Sequence, residues 1–151
     1  MSGGIIRRVA GRFGRQSSGA TAVEFALLAG PMLMMLLGSI EAGRAMWIRQ
    51  ALSETAIAGA RCMGVRQTEC SANGVYSASK TLSHVVATGA SYQISIPTAN
   101  VTLNANATCA GVAGNSKVTL TTPFETPIPG FLTEIAGVHT LHASACFPNQ
   151  P

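Results

Sequence analysis

From Phe25 to Ile40 the chain carries no charged residue: FALLAGPMLMMLLGSI. With its flanks the apolar segment spans 24 positions, Ala20 to Gly43, with Glu24 near one end. About 20 helical residues cross the hydrocarbon core of a bilayer, so the pattern predicts a transmembrane helix. Pro31 lies inside this run and removes the backbone partner of the Leu27 carbonyl, which predicts a kink. Gly30 and Gly38 offer small surfaces for helix–helix contact. Beyond the run, Ile48, Leu52, Ala56 and Gly59 recur at intervals of four, four and three, an apolar helical stripe. Gln50, Glu54 and Arg61 fall on another face. The helix is therefore expected to continue to about Arg61, and 42 residues of straight helix from Ala20 would reach about 60 Å. The outer half would form a stalk, or a spine for the remaining chain. Glu41 and Arg44 can pair at i,i+3, and Trp47 falls at the expected outer interface.

After this segment the periodicity changes. Cys62–Asn73 shows no clear period and reads as a loop. Val75–Thr88 places Val75, Ala78, Leu82, Val85 and Val86 at helical spacing, with Gly89 as a stop. Ser91–Ile96, Asn100–Thr108, Ser116–Thr122 and Val138–Phe147 alternate with period two, which predicts strands. Residues 123–137 hold three prolines and read as a long crossing loop. The expected fold class is α+β. A long N-terminal transmembrane and stalk helix precedes a small domain with one helix and an antiparallel sheet of about four strands.

Composition fits this division. Charged residues are 11% of the 151 and hydrophobic ones 47%, against about 25% charge in a typical soluble domain. The net charge of +4 comes from Arg7, Arg8, Arg12 and Arg15, since the remaining chain holds six basic and six acidic residues. Basic residues before the apolar run put the N-terminus in the cytoplasm and export the rest. Nucleic-acid binding would spread basic residues over a folded face, so no nucleic acid is expected as a partner. The sequence contains no Asp and no G-x-S-x-G elbow, which argues against an enzyme. No cofactor is expected.

The residues around Gly19 explain Glu24, whose carboxylate would otherwise be costly inside lipid. A basic leader, 1–19, ends in Gly-Ala-Thr-Ala-Val-Glu-Phe, Gly19 to Phe25. This resembles the processing site of type IV prepilins, in which a membrane peptidase cuts after Gly on the cytoplasmic side and Glu is the fifth mature residue. The stretch from Gly19 to Arg61 looks more specifically like TadE-like proteins, minor pilins or pseudopilins of the Tad (tight adherence, Flp-type) pilus. The resemblance implies cleavage between Gly19 and Ala20, a type IV pilin-like fold, and a structural role in pilus biogenesis and surface adhesion. It implies prepilin peptidase, other pilins and the Tad assembly machinery as partners through the N-terminal helix. The expected location is the inner membrane, single-pass, with the head periplasmic, or the pilus itself. In an assembled array Glu24 could pair with a neighbour's new amino terminus. The expected organisation is leader 1–19, helix 20–61 and head 62–151. The alternative function is an uncleaved, membrane-anchored periplasmic adaptor or binding module.

Four cysteines, Cys62, Cys70, Cys109 and Cys146, lie on the exported side, where disulfides form. Three pairings are possible. Cys62–Cys70 with Cys109–Cys146 is favoured, closing one short loop and joining two strand ends; the other two pairings stay open. No metal site is expected. His139, His142 and Cys146 cannot converge from one strand, because His139 faces the opposite side.

Overall fold

The computed structural model describes residues 17–125 and 139–150. Nearly all of the expected leader, and most of the Pro-rich crossing segment 123–137, lie outside the described residues. The first helix, α1, runs Ser17–Gly64 and continues through Pro31. Contacts divide the chain into two units, Met1–Ile40 and Glu41–Pro151. The second unit thus includes α1 from Glu41 onward.

In the head unit the apolar stripe of α1 is the packing face. Ala51, Leu52, Ala56, Ala60 and Met63 are buried, while Gln50, Glu54 and Arg61 stay exposed. Gln50 donates to Glu54 Oε1 at 2.9 Å along that outer face. Thr55, also buried, satisfies its hydroxyl by donating to the Ala51 carbonyl at 2.7 Å. Two short strands follow, β1 (Ser71–Ala72) and β2 (Val75–Tyr76), paired antiparallel. Asn73 and Gly74 both take positive φ at their turn, which an Asn-Gly pair tolerates best. The hairpin thus begins in the expected loop and ends in residues expected to be helical.

The second helix, α2, spans Ala78–Ser91. It starts later than expected because Val75 and Tyr76 belong to β2. It also runs through Gly89, so this glycine is no stop. A Cβ at Gly89 would lie 2.7 Å from Ile96 Cδ1; the glycine lets the chain fold back against the helix end. Ser91–Ile96 is accordingly not a strand. Tyr92 and Ile94 both donate their backbone N–H to the Gly89 carbonyl, and Gln93 takes a positive φ. Ile94 and Ile96 are buried against the helix end rather than in a sheet, so their alternation reports burial, not pairing.

After a 3₁₀ turn at Thr98–Asn100 come β3 (Val101–Cys109), β4 (Val112–Pro123) and β5 (Thr140–Pro148), an antiparallel sheet in chain order. The main sheet has three strands rather than about four, since the 91–96 segment does not join it. Val118 pairs with Leu103 and Ala145, and Leu120 with Val101 and Ala143. Central β4 buries Val118 and Leu120 fully, whereas the inward residues of β3 and β5 are mostly half-buried. Helices α1, α2 and strand β4 meet at Gly59, where a Cβ would sit 2.7 Å from Val85 and 3.4 Å from Val118. Asn149 ties down the chain end: it accepts from Ser116 Oγ at 2.6 Å and donates to the Ala105 carbonyl at 2.8 Å.

Candidate processing and assembly segment

Gly19 and Ala20 lie in the opening turns of α1. The first four N–H groups of a helix have no intrahelical partner, so the peptide between Gly19 and Ala20 sits where the helix is held most weakly. Gly19 is exposed, and a Cβ there would meet nothing within 4 Å. Glu24 is exposed and lies one turn beyond Ala20. Side chains on a helix lean toward its N-terminus, so the Glu24 carboxylate leans toward Ala20. Within α1 as it stands, Glu24 lies beyond the first turn. A chain beginning at Ala20 would bring it close to the exposed N–H groups, where a carboxylate is favoured.

From Val23 to Ile40 the large side chains point outward: Phe25 is 73% exposed and Met35 77%. Over the window of highest hydropathy none of α1 is buried within the chain. Exposed apolar residues on all sides of a helix fit lipid or other helices, not water. The helix is long and apolar enough to cross a membrane and is compatible with a single-pass anchor. At the start of the head unit Glu41 is only 2% exposed and is held by Arg44 Nη1 at 3.0 and 3.1 Å. The Arg44 guanidinium also lies 5.9 Å from the Phe124 ring centre, within cation–π range.

The cysteines form two disulfides, Cys62–Cys70 and Cys109–Cys146. Cys62 and Cys70 are fully buried, whereas Cys146 is exposed. His142 also points to the exposed face of β5, and Cys146 is committed to its disulfide. Chain folding adds a residue that spacing could not reveal. His84 on α2 brings a ring nitrogen within 4.8 Å of both Cys62 and Cys70 sulfurs. Nearby, Glu69 is fully exposed and its carboxyl is held below the usual range. The chief cause is its own backbone N–H, followed by the Thr68 hydroxyl, with smaller help from His84 and Lys80. Burial raises the Tyr76 phenol.

Residues 19–61 match the family model of TadE-like proteins. This segment is TadE-like. The TadE-like match covers well under half of the chain and coincides with the helical segment bearing Gly19, Glu24 and the exposed apolar run. Through this segment the chain is similar to Tad pilus-associated proteins. No curated protein and no solved structure matches the chain.

Proposed function

We propose that this chain is a minor pilin or pseudopilin, cut between Gly19 and Ala20 by a prepilin peptidase and built into a Tad pilus or its base. The observation that carries the reading is the spacing of Gly19, Ala20 and Glu24 at the head of an apolar helix whose side chains are uncovered. A helix of this kind needs lipid before assembly and neighbouring helices after it. Glu24 then supplies what an apolar surface cannot: a charge that pairs with a neighbour's amino terminus and sets register. Pro31 would bend the packed helix, and the four leader arginines would keep the N-terminus on the cytoplasmic side, with the head periplasmic. Surface adhesion follows from membership in the filament, not from a catalytic site.

The test is the intact mass of the membrane-bound protein. The mature chain should lack residues 1–19, and Gly19→Phe should retain them. A wild-type chain that keeps its leader arginines beside an active peptidase would instead favour the uncleaved periplasmic adaptor.

A further inference from the structure

Arg44 and Trp47 of α1 line a cavity of about 780 Å³ with Gln93, Ser95 and Glu125, a volume within the range of small-molecule sites. All of these residues belong to the head unit. We propose that the cavity binds the headgroup of a zwitterionic aminophospholipid, with the phosphate on Arg44 and the primary ammonium on Glu125 and the Trp47 ring. The inference rests on α1 spanning a bilayer, and not on cleavage at Gly19.

Position along the helix selects a lipid. The uncharged run ends at Ile40. At a rise of about 1.5 Å per residue, Arg44 stands about 6 Å and Trp47 about 10 Å further along α1. The headgroup layer on each side of a bilayer is about 5–7 Å thick. Helical side chains lean toward the N-terminus, so both residues lean back toward that layer. Trp47 is 63% exposed, and an uncovered indole at this depth suits the membrane interface.

Charge selects the headgroup. Glu41 occupies Nη1 of Arg44, at 3.0 and 3.1 Å. Among the described residues Nε and Nη2 have no hydrogen-bond acceptor, which leaves one edge of the guanidinium for a phosphate held by two parallel N–H bonds. The buried Glu41 carboxylate and the Phe124 ring, 5.9 Å away, already fix that guanidinium, so little freedom is lost on binding. The Gln93 amide and Ser95 hydroxyl add neutral donors to the same cavity. Glu125 follows Phe124 directly, is exposed, and has no ion pair among the described residues. Counting Glu41, two carboxylates stand against one guanidinium. A purely anionic headgroup would meet Glu125 uncompensated. A zwitterion supplies the missing cation: a primary ammonium donates to the carboxylate and is attracted by the indole face. A quaternary ammonium has no N–H to give Glu125.

The experiment offers the full chain in detergent an equimolar mixture of phosphatidylethanolamine, phosphatidylglycerol and phosphatidylcholine with identical tails. Native mass spectrometry reads the lipid retained. Phosphatidylethanolamine should be preferred about fivefold over each of the others, the scale of one exposed ion pair. Trp47 is the single tryptophan, so its fluorescence should shift as that lipid binds. Glu125→Lys should turn the preference toward phosphatidylglycerol. Glu41→Gln/Arg44→Gln removes the guanidinium without stranding a buried carboxylate and should abolish retention. Glu54→Gln, on the exposed face of α1, should change nothing. Protease resistance of the head reports folding, and Glu125→Lys decides alone where the double variant unfolds. Equal retention of the three lipids by the folded wild-type chain overturns the proposal, as does an unchanged preference in Glu125→Lys. A chain that fails to insert into vesicles refutes the membrane anchor and this site with it, whereas an inserted chain without lipid preference refutes this site alone.

Discussion

Gly59→Ala tests the packing at the centre of the head. The new methyl would lie 2.7 Å from Val85 Cγ2 and 3.4 Å from Val118 Cγ2, against about 3.5–4.0 Å for carbon atoms in favourable contact. Both valines are fully buried, so neither can swing away into solvent. Overpacking of this kind costs about 1–3 kcal/mol. Alanine returns about 1 kcal/mol as the better helix former. The net effect in the wild-type background is a loss of up to about 2 kcal/mol. In a Val85→Ala background the obstructing methyl is gone. The same substitution there gains the propensity term and about 0.8 kcal/mol for a newly buried methyl, and stabilises by about 1–2 kcal/mol. The sign reverses, with a coupling of about 2–4 kcal/mol against about 0.3–0.5 kcal/mol of scatter between independent sites. The assay is urea unfolding of the four chains in one detergent, read by pulse proteolysis of the head. Equal effects of Gly59→Ala in both backgrounds would refute the three-way contact.

Glu24→Ala should still insert and still lose its leader, yet fail to enter the pilus; normal piliation of that strain, seen by electron microscopy, would make Glu24 a passive headgroup contact. Loop entropy predicts that Cys146→Ala lowers head stability by about 3–4 kcal/mol and Cys70→Ala by about 2–3 kcal/mol, because the first opens a loop of sequence separation 37 and the second one of 8. Denaturant midpoints measure this, and the reverse order would refute the entropic account, since burial favours Cys62–Cys70. Arg44→Ala should cost about 1.5–3 kcal/mol, the worth of hydrogen bonds to a charged group, since it strips the buried Glu41 carboxylate of its ion pair. Thermal unfolding would show no change if water reaches Glu41 freely.

Some of this protein could be read from residue order alone. An uncharged run of helix length, the basic residues before it and the Gly19-to-Glu24 spacing are one-dimensional patterns, because length enough to cross a bilayer depends on consecutive residues. The stripe Leu52–Ala56–Gly59 was legible for the same reason: helical period converts spacing into a face. Strands β3, β4 and β5 showed their alternation because one side of the sheet meets the helices. The same alternation misled at Tyr92, Ile94 and Ile96. There burial comes from a chain reversal at Gly89, and period two carries no information about what a residue packs against. Gly89 itself looked like punctuation; only the approach of Ile96 shows that it is a site of close packing. Likewise, His84 is 22 residues from Cys62 and 14 from Cys70. No spacing rule links them, and the packing of α2 beside the 62–70 loop alone brought the three together.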